Sequence, residues 1–342
     1  MHFLTLTAVQ VPEMEEELEQ NKYREHDPMD TAFARLVEDA LEEKMEPYNV
    51  NTRDERYLFF QDETDSVRRE YQGGTDCLRL PQGSIVPVCG KPYYGRFVIR
   101  EGKVLERDSS GRFRQTRRAK KIQGLPRYPF RKLYKDLRQF AEKWKGVDWN
   151  EEHQAFGFSY NYQGQWDWYS IGERWAFLLL VRDTCSEYIS GEWGLGAASG
   201  PQPPKGYKWA SAARMKDIQW QALEQYYCDE VKAWYEQLRR FFQTGERPAG
   251  FEGHRVPESI DLWGERIFSK EEPWELFLEK NMPFADRRFP IMTCPFLDED
   301  GSWENELYGG VGDPPDEMKQ ALDRFLDSLN PEDVLVVVDC HI

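Results

Sequence analysis

Apolar positions recur along this chain with two different periods, and the switches between them outline the elements. His2 to Val11 is rich in β-branched and apolar residues and stops at Pro12, which predicts a strand. A long acidic stretch follows. After Asp30-Thr31, an N-cap pair, Phe33, Leu36, Val37, Ala40 and Leu41 fall at helical spacing until Pro47 ends the pattern. The other end mirrors this arrangement. Asp313-Pro314-Pro315 opens a helix whose Met318, Leu322, Phe325, Leu326 and Leu329 form one apolar stripe, Asn330-Pro331 breaks it, and Val334 to Val338 runs apolar without alternation, as a buried strand does.

A strand and a helix at each end, enclosing further strands, predict an α+β fold. The expected core is a ferredoxin-like sandwich built from both termini, in which the first and last strands are sheet neighbours. Residues 1–60 and 285–342 are assigned to this core, and 61–284 to a large central α+β elaboration packed with it as one globular unit. Within the elaboration, Cys77 to Arg100 reads as short strands and turns, and Leu133 to Trp144 as a short amphipathic helix stopped by Gly146. Ala176 to Val181 reads as a central strand, Gly196 to Gly206 as a loop, and Ala212 to Gln243 as a long helix stopped by Gly245.

The most specific stretch is Gln165-Trp166-Asp167-Trp168-Tyr169-Ser170-Ile171-Gly172-Glu173-Arg174-Trp175. Indoles this close together either pack tightly or face a ligand, because each carries a large apolar body and an N–H that wants a partner. Together with Met1-His2-Phe3, Glu46-Pro47-Tyr48, Phe140 to Gly146 and the terminal Val338-Asp339-Cys340-His341-Ile342, this stretch resembles a family encoded by bacteriophages and prophages. Its hallmark is Asp-Trp-Tyr-x-Ile-Gly-Gly-Arg-Trp with a closing Val-Asp-Cys-His-Ile. The resemblance covers most of the chain and implies a phage or prophage accessory protein, without implying a biochemical activity. Glu173 stands where that pattern has its second glycine, and glutamate resists the positive φ that glycine permits.

Two readings of the Trp-rich stretch stay open. In one, its aromatics are core and Asp167 pairs with Arg174 or caps a turn. In the other, Trp166, Trp168, Tyr169 or Trp175 stacks on a flat base while Arg174, with Asp167 beside it, meets an anion. A basic island, Lys103 to Arg138, supplies a second candidate: Arg117, Arg118, Lys120 and Lys121 form either a solvated face or an anion site. Asp339 and His341 share one face of the last strand by period-two alternation, and an antiparallel first strand would bring His2 to them. Two histidines and a carboxylate are acid–base or metal-binding chemistry. Cys340 is expected on the opposite face, as core.

Composition narrows the choice. The 342 residues are 40% hydrophobic and 14% aromatic, enough for a sizeable core. A formal charge of −16 argues against coating long nucleic acids, so a small nucleotide is the better-matched ligand. Six cysteines without a Cys-x-x-Cys pair indicate free thiols, and no leader or apolar run of about 20 residues is seen, so a cytoplasmic site in a bacterial host and no membrane partner are expected. No phosphate loop, nucleophile elbow or metal signature occurs, so no catalytic residue, metal or cofactor is assigned, and binding is favoured over catalysis. The expected function is sequestration of a nucleotide-like small molecule, counteracting bacterial defence. The alternatives are a metal-dependent phosphoesterase-type hydrolase using His2, Asp339 and His341, and an acidic inhibitor that binds a host defence protein.

Overall fold

The computed structural model describes residues 2–12, 31–73, 76–80, 83, 85–87, 97–191, 201–246, 259–262, 265–269, 271–281, 296–298, 301–304 and 316–342. The expected helix start at Asp313 to Pro315, the first part of the loop from Gly196, and Cys89 and Cys294 lie outside them. Cys185, Cys228 and Cys340 carry free thiols. The chain divides into two compact units, 1–50 with 163–342, and 51–162. The boundaries differ from those expected: the inserted unit is shorter, and the Trp-rich stretch belongs with the termini.

In the first unit, β1 (His2–Val9) pairs antiparallel along its whole length with the last strand, here β8 (Val334–His341), from His2↔His341 to Val9↔Val334. The terminal strands are therefore neighbours, as the sequence predicts. β8 also pairs antiparallel with β2 (Trp168–Ile171) over its C-terminal half and with β5 (Tyr207–Arg214) over its N-terminal half. β3 (Leu179–Arg182) and β4 (Tyr188–Ser190) pair with β5, while β6 (Phe296–Leu297) pairs parallel with β1 and carries β7 (Trp303–Glu304).

Alternation along β8 sends its side chains into two cores. Leu335 and Val337 pack with Leu322, Phe325 and Leu326 of α3 (Asp316–Ser328), whereas Val334, Val336, Val338 and Cys340 pack with Phe33, Val37 and Leu41 of α1 (Ala32–Met45). Over Val334 to Val338, β8 is covered on both faces and shows no polar side chain, and each fully buried apolar side chain contributes about 1.5–3 kcal/mol. The fold class is α+β. A ferredoxin-like sandwich sets both helices on one face; here α1 and α3 lie on opposite faces, because each face of β8 is apolar and needs its own cover.

Local signals explain most boundaries. Thr31 caps α1, its Oγ1 accepting from Ala34 N–H at 3.1 Å, and Gly245 ends α2 (Trp220–Thr244) in the left-handed region at φ +77. The expected helix start at Ala212 is overturned. Trp209-Ala210-Ser211-Ala212-Ala213 is strand, because its backbone groups pair with β3, β4 and β8. The run ending in Leu179-Leu180-Val181 is an outer strand of the pairing order and is buried because helices, not strands, cover it. Arg214 ties the unit together from a fully buried position: it pairs with Glu187 and donates to the carbonyls of Val11, Pro12 and Glu332 at 3.3, 3.0 and 2.8 Å.

The second unit is built from three small antiparallel sheets. One joins Phe59–Asp62, Ala155–Tyr160 and Asp148–Asn150, a second Ile85–Pro87, Asp76–Arg79 and Arg127–Pro129, and a third Phe97–Arg100, Lys103–Arg107 and Phe113–Arg114. Its cores centre on Val67, Phe130, Phe140 and Phe156, and on Leu78, Ile99, Val104 and Ile122. The expected helix at Leu133 to Trp144 is broken into Phe130–Leu133, Leu137–Phe140 and a wide turn, Ala141–Lys145, stopped at Gly146 with φ +70. Charge divides along the same boundary. Residues 51–162 hold 23 Lys and Arg against 15 Asp and Glu, a formal +8, which leaves −24 for the rest of the chain.

Candidate functional site

Two registers meet at the end of β8. His341 is directly opposite His2 of β1 on one side and Trp168 of β2 on the other, so three ring side chains form one row on one face. The rings converge: centroids are 4.8 Å apart for His2 and His341, 5.3 Å for His341 and Trp168, which are stacked, and 5.4 Å for His2 and Trp168. The next row holds Leu4, Asp339 and Ser170. Asp339 is on the same face because two residues along a strand restore the direction.

Each imidazole is held at Nδ1 by a carboxylate. His2 Nδ1 lies 3.1 and 3.2 Å from the two oxygens of fully buried Asp339, and His341 Nδ1 lies 2.8 Å from Asp167 Oδ1. Asp167 is itself fixed by its N–H, which donates to the His341 carbonyl at 2.9 Å. The bond from His341 holds the Asp167 carboxyl below the ordinary aspartate range. An ionised carboxylate only accepts, so Nδ1 carries the proton in the His341 pair and Nε2 is the nitrogen left for chemistry. Neither Nε2 has a hydrogen-bond partner among the described residues. Trp168 is 41% exposed and offers its remaining surface beside them.

The Trp-rich stretch therefore splits between the two open readings, residue by residue. Trp166 is fully buried against Trp303 and Tyr48, with ring centroids at 5.4 and 5.6 Å, so it is core and cannot stack on a ligand. Tyr169 points to the α1 face, where burial and the acids Glu42 and Glu46 push its hydroxyl pKa upward. Trp175 is half-buried against the α3 face, and its indole N–H is buried without a partner. Asp167 and Trp168 alone join the histidine corner. The expected Asp167–Arg174 pair is overturned, since Asp167 is engaged by His341 and Arg174 is exposed without an ion pair among the described residues.

Backbone geometry just beyond the corner is demanding. Gly172 has φ +73, and a Cβ there would fall 2.3 Å from Ser211 Oγ; its N–H donates to the Val337 carbonyl at 2.9 Å. Glu173, expected to resist such a conformation, has φ +40. The Gly172 bond to β8 anchors the turn from outside, and bonds from Trp175 and Ala176 back to Gly172 and Glu173 close it from within, so Glu173 accepts the strain.

The basic candidates lie in the other unit. Arg117, Arg118, Lys120 and Lys121 occupy the short helix Arg117–Gln123, capped by Thr116; Arg118 pairs with Glu106 at 3.3 Å, and the other three are exposed without ion pairs among the described residues. Cys340 is core as expected, and burial pushes its thiol up to about 12. Among the described residues, no group of three or more His, Cys, Asp and Glu could hold a metal ion, and no helix is long and apolar enough to cross a membrane. An open cleft of about 470 Å³ lies at the far end of β1, beside Gln10, Glu43, Lys44 and Asp333, where two acids disfavour an anion.

No protein-family model, no curated protein and no solved structure matches this chain.

Proposed function

We propose that the protein captures a nucleotide-like anionic small molecule at the corner formed by His2, Asp167, Trp168, Asp339 and His341. The observation that supports this is the pair of imidazoles, each oriented by its own carboxylate and both in contact with a part-exposed indole. In the imidazolium form each ring keeps its Nδ1 bond to the carboxylate and donates from Nε2–H to a phosphate oxygen, and the indole supplies a stacking surface for a base, worth about 1–3 kcal/mol. Arg174 is the nearest exposed cation in the motif's sequence and a candidate contact to the anion. The resemblance to a phage-encoded family supports a phage or prophage accessory role, in which capture withdraws a nucleotide signal from bacterial defence.

A second reading is favoured by one feature, the closeness of two separately oriented histidines. It is metal-independent acid–base cleavage of a phosphodiester. One imidazole takes the proton from the attacking hydroxyl as the new P–O bond forms, and the other gives a proton to the leaving oxygen as the old P–O bond breaks. A panel of cyclic and linear nucleotides separates the readings. Under capture, one of them raises the melting temperature and is recovered intact, by mass spectrometry, after heat release; Trp168→Ala and His341→Ala abolish the rise while the fold is retained. Recovery of cleaved product replaces capture with catalysis, and a panel in which no nucleotide raises the melting temperature and none is cleaved overturns both.

A further inference from the structure

The positive charge of the inserted unit is concentrated in one part of it. Residues 97–132 hold twelve Lys and Arg against three Asp and Glu, a formal +9, whereas 51–96 with 133–162 hold eleven against twelve, a formal −1. Two of the three acids are turned onto their own neighbours. Buried Glu106 accepts from the Thr116 hydroxyl and pairs with Arg118 at 3.3 Å, while Asp108 accepts from the N–H groups of Ser110 and Arg112 at 2.9 Å and pairs with Arg114 at 3.2 Å. Glu101 is the one acid of this part without a partner among the described residues.

Local structure lines up the remaining cations. In the helix Arg117–Gln123, Ala119 and Ile122 take the buried side, and Arg117, Lys120 and Lys121, at i, i+3 and i+4, share the other. Gln123, three residues past Lys120, continues that side and donates from Nε2 to the Gly102 carbonyl at 3.3 Å; Arg127 Nη2 donates to the same oxygen at 3.3 Å. Gly102 lies in the two-residue turn between the paired strand ends Arg100 and Lys103. Helix side, turn and Arg127 therefore form one continuous edge carrying Arg100, Lys103, Arg117, Lys120, Lys121 and Arg127. All six are exposed without ion pairs among the described residues, and Arg100 rests over the Phe113 ring at 5.3 Å.

The chemistry of the edge selects the occupant. Phe97, Ile99, Val104, Ala119 and Ile122 are buried in the core beneath it, so what it offers a partner is cationic and polar. A protein partner is held by buried aromatic and apolar anchors, in interfaces where Lys is depleted, and stable attachment to a membrane takes an apolar insertion besides a polybasic surface. A single strand is held by rings that stack on its bases. Unpaired Arg and Lys spread along a surface match a regular array of phosphates, which a duplex presents about every 1.7 Å along its axis. We infer that residues 97–132 bind duplex nucleic acid through its phosphate backbone, without reading its sequence. The chain-wide charge of −16 does not oppose this, because the excess acid belongs to the other compact unit and exposed charges are screened beyond about 8 Å at physiological salt.

The inference does not rest on nucleotide capture at the histidine corner, and full-length protein tests it. Two fluorescein-labelled DNA duplexes of unrelated sequence, an RNA duplex and a DNA single strand, each of about 20 nucleotides per strand, are titrated at about 50 and 200 mM salt and followed by anisotropy. The two DNA duplexes are expected to bind equally and more tightly than the single strand, and comparison with the RNA duplex shows which helix form the edge fits. With six phosphates neutralised, duplex affinity is expected to fall on the order of 10³-fold between the two salts. Lys120→Gln and Lys121→Gln, both at exposed positions, are each expected to reduce that fall about threefold, one counterion fewer released, whereas Lys232→Gln removes the same charge from α2 and leaves it unchanged. Arg117→Gln repeats the test if either lysine variant lowers the melting temperature. No binding of either duplex type at about 50 mM salt, tighter binding of the single strand, preference between the two DNA sequences, or an unchanged salt dependence in these variants overturns the inference. So does tighter binding to vesicles containing phosphatidylserine than to duplex, or self-association that the lysine substitutions abolish while no duplex is bound.

Discussion

The two units of this chain spend their aromatic residues in opposite ways. In the unit holding the termini, Trp166 is sealed between Tyr48 and Trp303, and Trp168, two residues on, is drawn against two histidines; in the inserted unit, four rings stand in solvent on one sheet face. The difference follows from what lies over each sheet. β8 is covered on both faces by α1 and α3, so a ring on it is buried unless it sits at the strand's end. The strand Ala155–Tyr160 runs past its core after Phe156, and nothing among the described residues buries the rings beyond it. Charge is divided in the same way, −24 against +8, so a net value for the chain describes neither part.

Substitutions test how deep that contrast goes. The largest effect is expected at Arg214, whose removal as Arg214→Leu leaves Glu187 and three carbonyls without their partner and costs about 4 kcal/mol in denaturant unfolding. Trp166→Ala should cost about 3–4 kcal/mol through the cavity it opens, while Phe158→Ala costs less than about 1 kcal/mol; equal losses would erase the distinction between sealed and displayed rings. Gly172→Ala should cost about 3 kcal/mol, from left-handed strain and the clash with Ser211, measured as a shift in the urea midpoint. Its neighbour should go the other way: Glu173→Gly relieves strain and is expected to gain about 0.5 kcal/mol.

The smallest effect is a matter of pH. The Asp167 carboxyl is held low by its bond from His341, so that bond's contribution is present above the ordinary aspartate range, about pH 4, and is lost as pH falls through the lower folded value. Trp168, stacked on His341, reports it: its fluorescence should change below about pH 4 in the native chain, with no such change in Asp167→Asn.

Legibility in the sequence tracked how local each cause was. Thr31 and Gly245 end their helices by bonds within a few residues, and both positions can be read directly. The strand of β5 could not, because Ala210, Ala212 and Ala213 favour a helix on their own and become strand only through β8 and β4. The corner was half legible. Alternation puts Asp339 and His341 on one face, and the antiparallel first strand adds His2, but that Asp167 and Trp168 arrive by strand pairing with β8 has no local signal. The two pieces of the motif, Asp-Trp-Tyr and Val-Asp-Cys-His-Ile, lie far apart in the chain and side by side in the sheet.

By itself, the sequence determined which segments are apolar, where several elements must stop, and that the first and last strands are built to be buried together. These follow from periodicity, prolines, glycines and caps, whose effects reach only a few residues. The tertiary structure alone decided which tryptophan is core and which is exposed, that Asp167 serves His341 and not Arg174, and that Glu173 adopts the conformation it resists. Each of these depends on partners more than a hundred residues away or on the cover over a sheet face, and packing energy between distant segments leaves no periodic trace in the chain that carries it.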